Sequence, residues 1–230
     1  MILTNASEIL RKMSHAAMRA GREPDAVRLI AVSKTVPAER IREAMEAGLR
    51  IFGESRVQEA RAKIALLREP SHGFSGVQWH LIGHLQKNKA KQAIRLFDLI
   101  HSVDSVALAD ELNRQAANDG KVQRVLVEVK LSGEDTKQGV AESDLDALIA
   151  HIRQCSNLKL EGLMTMPPYD PDPEKARPYF HRLRELRAQA EKRGAVLPEL
   201  SMGMSHDFGV AIEEGATMVR VGTAIFGGRS

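Results

Sequence analysis

Apolar runs of strand length alternate with amphipathic stretches of helical period along the whole chain, and this alternation limits the fold more than any single motif does. The first run is VRLIAV at 27–32, β-branched and apolar. Pro37 opens the helix that follows, with Ile41, Ala44 and Met45 on one face and Gly48 as its stop. The same reading places strands over 49–53, 77–82, 99–102, 124–129, 160–164, 199–202 and 218–221. Helices are predicted over 55–68, 86–96, 105–117, 174–193 and 207–214, and through Leu145, Leu148, Ile149 and Ile152. One more helix stands in front: Asn5 and Glu8 are spaced as a capping box, and Ile9, Leu10, Met13 and Ala17 recur at helical spacing up to Gly21. Eight strands joined by seven helical crossovers are parallel neighbours, and eight is the number that closes a barrel. The expected fold is therefore α/β, a single (β/α)8 TIM-type barrel with an extra N-terminal helix, residues 1–230 forming one domain. An open doubly wound sheet is the competitor, but no GxGxxG follows the first strand. The Pro-rich stretch 167–173 has the length of a barrel loop rather than of a linker.

Composition excludes several function classes. Cys155 is the one cysteine, so an intrachain disulfide and a Cys-based zinc cluster are ruled out, and the eight histidines include no HExxH spacing. No metal is expected. Lys+Arg 33 against Asp+Glu 30 leaves a charge of +3, too small an excess to mark a nucleic-acid binder and equally suited to a small anionic ligand. Lys87, Lys89, Lys91 and Arg95 share a predicted helix without interleaved aromatics and read as a solvated face, not a nucleic-acid contact. The N-terminus lacks a continuous apolar core, and no run of 18 apolar residues exists, so the expectation is a cytoplasmic protein with no membrane contact.

A barrel places its chemistry at the C-terminal ends of its strands. Those positions hold Ser33-Lys34, Glu54-Ser55, Gly83-His84, His101-Ser102, Lys130 with the loop carrying Lys137, Thr165-Met166, Ser201 to Ser205, and Gly222-Thr223. The last two groups are rich in Gly, Ser and Thr, which let backbone N–H groups approach an anion; the plainer reading is that the glycines only serve tight turns. Loops after the last two strands form the usual phosphate site of a barrel. A lysine at a loop start is ordinarily a solvated charge. One residue past an apolar strand at a barrel mouth, Lys34 is also placed as a Schiff-base lysine. Imine formation needs the neutral amine, well under ~0.1% of an unperturbed lysine at pH 7. Arg220 ends the strand that closes against the first, where its charge would favour the neutral amine. A phosphorylated aldehyde would satisfy both features.

The motifs AVSKT (31–35), FGESRVQE (52–59), WHLIGHLQKNK (79–89), LMTMPP (163–168), LSMGMSHDF (200–208) and VRVGTAIFG (219–227) run through nearly the whole chain. In this order and spacing the sequence resembles the pyridoxal 5′-phosphate (PLP) homeostasis protein family, whose fold is that of the alanine racemase N-terminal domain. The resemblance implies one barrel with PLP held as a Schiff base on Lys34. It implies that Ser201, Met202, Gly203 and Ser205, with Arg220, Gly222 and Thr223, surround the ring and phosphate, and that Ser55 adjoins them. The family commonly carries Asn-Tyr where this chain has Ser55-Arg56, so a contact made by that Asn is replaced at best by a shorter hydroxyl. An arginine facing the pyridine nitrogen donates only and leaves that nitrogen unprotonated, a weaker electron sink than an aspartate partner would make.

The racemases of this fold add a β domain and a tyrosine base from a second subunit. The chain ends nine residues past Val221, and neither Tyr169 nor Tyr179 is placed by the sequence against a substrate. The expected function is therefore holding, buffering or delivering PLP with no or vestigial catalysis, the partners being PLP and apo PLP-dependent enzymes, and the state a monomer. A small PLP-dependent amino-acid racemase is the alternative; an aldolase-like barrel using Lys34 on a sugar phosphate is a third reading. Lys137 is a staging point for transimination if it is not simply a solvated loop lysine. His80 reads as a packed barrel residue, His84 as a possible ligand contact, and His206 as the cap of the next helix rather than a catalytic partner of Asp207. Met164, Met166, Met202 and Met204 read as core and mouth packing, with Met202 within reach of the ring, and Cys155 as an inert small hydrophobe.

Overall fold

Near-continuous apolar runs give each strand two buried faces, one toward helices and one toward a shared interior. The computed structural model describes residues 1–67, 74–133 and 138–228. Its strands are β1 (Arg28–Val32), β2 (Ile51–Glu54), β3 (Gln78–Leu81), β4 (Leu99–Val103), β5 (Gln123–Lys130), β6 (Val140–Ala141), β7 (Leu158–Met164), β8 (Glu199–Met204) and β9 (Met218–Val221). The order is β4-β3-β2-β1-β9-β8-β7-β5, and the further pairing of β4 with β5 closes the ring. Every pairing is parallel, and the two-residue β6 is added beside β5. The eight-stranded barrel expected from the alternation is present, as is the N-terminal helix α1 (Ile2–Arg19).

The crossovers are α2 (Ala38–Glu46), α3 (Val57–Leu67), α4 (Ala90–Leu96), α5 (Val106–Asn118), α6 (Glu142–Ile152), α7 (Arg177–Lys192) and α8 (Phe208–Glu213). A short α9 (Thr223–Phe226) follows β9 and was not expected. Four local expectations need correction. Asn5 does not cap α1: the helix starts at Ile2 because Ile2, Ala6, Ile9 and Met13 form one buried face, and the Asn5 amide donates instead to the Ile225 carbonyl at 2.9 Å. The long charged helix begins as a 3-10 turn, Pro173–Ala176, because Pro178 has no N–H to continue an α-helical ladder backward. The basic helix likewise starts with a 3-10 turn, Lys87–Lys89, and β8 runs two residues beyond the predicted 202. The predicted loop over 70–76 lies largely outside the described residues. Among the described residues no helix is long and apolar enough to cross a membrane.

An apolar plug of Ile30, Leu99, Leu126, Met164 and Met218 fills one level of the barrel interior. Gly53 belongs to this packing, since a Cβ there would stand 2.9 Å from the Ile30 Cγ2. The larger core lies between sheet and helices, where Phe52 and Trp79 meet at 5.4 Å between ring centroids. Toward the strands' C-terminal ends the interior becomes polar, which positions the site.

Candidate functional site

The alternation that sends Met218 into the plug sends Arg220 to the same side two residues on, beside Ile30 of β1. Arg220 is 3% exposed. Its Nη1 donates to the Ser201 hydroxyl at 2.6 Å and its Nη2 to the Thr165 carbonyl at 2.9 Å. Burial lowers its pKa to about 10, against the pull of Glu128 and Asp207, so the guanidinium remains charged at neutral pH.

Arg220 faces a cavity of about 360 Å³ at the barrel mouth, shared with Lys34, Ser55, Ser205, Gly222 and Thr223. Lys34 also borders an adjoining cavity of about 530 Å³ with Arg40 and Phe226. The turn that carries Lys34 is held from α3. Lys63 donates to the Ser33 carbonyl at 2.7 Å, and the Thr35 N–H donates to the Glu59 carboxylate. Both peptide units flanking Lys34 are thus anchored, and Thr35 is kept at φ 62°, a rare conformation for a β-branched residue. Glu54 completes this group: it is fully buried, accepts from the Ser33 hydroxyl at 2.6 Å and pairs with Lys63 at 3.1 Å. Burial pushes the Glu54 carboxyl up, with Ser33 and Lys63 pulling it back.

The loops after β8 and β9 are joined at Ser205, whose hydroxyl oxygen accepts from the Gly222 N–H at 3.3 Å and meets the Thr223 hydroxyl at 3.2 Å. Gly203 allows α8 to come this close: its φ is +89°, and a Cβ would lie 2.5 Å from the Ala211 Cβ. The structure therefore gathers Lys34, Ser55, Ser205, Arg220, Gly222 and Thr223 around one cavity. Three named residues do not line it, and one of them, Gly203, is buried against Ala211 and Phe208 of α8. Ser201 is fully buried beneath Arg220, and Met202 points to the other side of β8, into the core between sheet and helices. The alternation from Ser201 explains this, because neighbours on a strand face opposite ways.

Other expectations resolve individually. His84 stands 3.5 Å from Asp104 rather than lining the cavity. His206 caps nothing: its ring lies 5.6 Å from that of Tyr169, and the Asp207 carboxylate closes the turn by accepting from the Met204 N–H at 2.6 Å. Tyr169, which the sequence did not place, lines the cavity's rim at 76% exposure. Its loop follows no periodic pattern, so no sequence signal located it. His80 is packed inside the barrel as expected, 3.1 Å from His101. Met166 and Met204 line the mouth and Met164 sits in the plug. Asp110 on α5, His151 on α6 and Cys155 just beyond α6 approach one another, and burial with the Asp110 charge raises the Cys155 thiol pKa, which disfavours the thiolate. Lys137 lies outside the described residues.

Chemically, the cavity offers a lysine amine, a buried donor-only cation and a cluster of hydroxyl and amide groups. That set suits a ligand carrying an electrophilic carbon, a hydrogen-bond acceptor in a ring and an anionic group.

Comparison with known proteins gives a consistent picture. The family model described as the alanine racemase N-terminal domain matches residues 6–230. A protein of Aquifex aeolicus called "Pyridoxal phosphate homeostasis protein" is 47% identical over 97% of this chain and 96% of its own length. One of the same name from Escherichia coli is 41% identical over 99% and 97% respectively. The structure of PipY from Synechococcus elongatus, solved with PLP bound, is 40% identical and superposes with a TM-score of 0.86, over 99% of this chain and all of that one. Alanine racemase of Clostridium difficile shares the fold at 17% identity and a TM-score of 0.70, this chain corresponding to 59% of its length.

Proposed function

The chain belongs to the family of the alanine racemase N-terminal domain, and from that premise we propose that it holds PLP as a Schiff base on Lys34 and serves PLP homeostasis in the cytoplasm, as a single-barrel carrier that buffers or delivers the cofactor without turning over a substrate. The observation that carries this reading is the convergence of Lys34, Arg220 and the Ser205–Gly222–Thr223 cluster on one cavity. These residues fit the cofactor: an amine for the aldehyde, a donor for the ring nitrogen, and amide and hydroxyl groups for the phosphate. Bound PLP supplies the electrophilic carbon and an electron-withdrawing ring. Lys34 binds, and the anchored Ser33 and Thr35 fix where its amine emerges. Ser205 pre-arranges the Gly222 amide and the Thr223 hydroxyl. Arg220 donates and cannot return a proton, so the ring nitrogen stays unprotonated and carbanion chemistry is poorly supported. Relatives of near-complete coverage bear the homeostasis name.

Catalysis is the alternative, and Tyr169 at the rim is the observation that favours it. The two readings part in one experiment: PLP-loaded protein is mixed with an apo PLP-dependent enzyme, and separately with L-alanine. The carrier reading predicts recovery of the apo enzyme's activity and no D-alanine. Racemisation that falls with Tyr169→Phe would replace it with the enzyme reading. Neither transfer nor turnover would leave storage as the function.

A further inference from the structure

Beneath Arg220, a line of polar side chains continues through the centre of the barrel. The Ser201 hydroxyl lies 2.9 Å from His101 Nδ1, His101 Nε2 lies 3.1 Å from His80 Nδ1, and His80 Nε2 reaches Gln78 Oε1 at a long 3.5 Å. Ser201, His101 and His80 are fully buried, and none of the three lines the cavity. They occupy β8, β4 and β3, so the line crosses the interior rather than following one strand.

Its direction follows from donor and acceptor inventory. A guanidinium only donates, so the Ser201 oxygen must accept from Arg220. The Ser201 hydrogen then needs an acceptor, and among the described residues His101 Nδ1 is the one within reach. The reverse order would leave that hydrogen buried and unpaired, and would turn a donor toward the cation. With His101 Nδ1 accepting, its Nε2–H donates to His80 Nδ1, and the His80 Nε2–H points to Gln78. Both rings must be neutral for this. Burial meets that need, with Arg124 and Arg28 facing both rings and Arg220 facing His101, and it holds His80 near 3 and His101 well below the usual imidazole range.

We propose that Ser201, His101 and His80 form a one-way hydrogen-bond chain that orients the Arg220 guanidinium toward the cavity, with His101 as the positioning residue that fixes the Ser201 hydroxyl. The inference rests on the carrier reading for what Arg220 touches, but the chain itself is testable without ligand. Long-range 1H–15N spectra of the labelled protein at neutral pH should show both rings protonated on Nε2 and bare on Nδ1. A proton on His101 Nδ1 would overturn the proposal.

Its effect on binding is read with PLP as the probe. Ser201→Ala, which removes one hydroxyl and is the gentler change, should weaken PLP binding about tenfold and shift the visible band. His101→Leu should do the same, and His101→Asn, whose side-chain oxygen replaces the Nδ1 acceptor, should restore the band and most of the affinity. Wild-type affinity and band in Ser201→Ala would contradict the positioning role even if His101→Leu fails to fold. Absence of any PLP band in the wild type would sink the carrier reading while leaving the nitrogen assignments to decide the chain.

Discussion

At the scale of single residues, His80 ties packing to pH. Its folded pKa of about 3 lies below the ordinary imidazole value of 6.5, chiefly through burial, with Arg124 and Arg28 adding to the shift. Below 6.5 the unfolded chain takes a proton that the folded chain refuses, so stability is fully present above that value and is lost as pH falls toward 3. Urea midpoints measured at successive pH values should therefore fall through this window, and His80→Gln should flatten part of the slope. A flat wild-type profile there would contradict the neutral, buried assignment. Gly203 gives a second residue-scale prediction. At φ +89° with Ala211 in the way, Gly203→Ala should cost about 2–4 kcal/mol in urea unfolding and loosen the Ser205 cluster. Lys34 and Arg220 were legible because one lies just past an apolar strand and the other interrupts one near its C-terminal end, where a charge is conspicuous. Met202 was assigned to the ligand by resemblance, although parity from Ser201 already sends its side chain outward.

At the scale of elements, α3 is the part of the site that the sequence concealed. Glu59 and Lys63 are four residues apart on one helix face, a spacing that ordinarily signals a solvated pair. Here Lys63 reaches over to Ser33 and to the buried Glu54, contacts that depend on how α3 lies against the ends of β1 and β2. Lys63→Met should destabilise the protein by about 3–5 kcal/mol at neutral pH, because it strands the Glu54 carboxylate without its cation. Glu54 already has a raised pKa, so removing Lys63 raises it further. A protonated carboxyl is much cheaper to bury than a carboxylate, so the deficit relative to wild type should shrink as pH falls; equal deficits at pH 7 and pH 5 would argue against a buried charge. The boundaries of the regular elements were legible to within a few residues. The exceptions were the start of α1, where the apolar period reaches back to Ile2, the 3-10 entries and α9.

At the scale of the whole molecule, closure of the ring by β4 and β5 brings residues far apart in sequence to one mouth and one interior. This is why the strand count was enough to place Lys34 beside Arg220, while Tyr169 and the Arg220–His80 line were invisible: one sits on an aperiodic loop, the other depends on three-dimensional register. A carrier with a site built within one barrel needs no second subunit, so light scattering should return a mass near 25.4 kDa with and without PLP. The central claim is that PLP is held covalently by Lys34. Its most direct test is borohydride reduction of the PLP-loaded protein followed by peptide mapping, with Lys34→Ala treated alongside. The account predicts a fixed pyridoxyl group on the peptide containing Lys34 and none in the variant; a label on another lysine that persists in Lys34→Ala would contradict it.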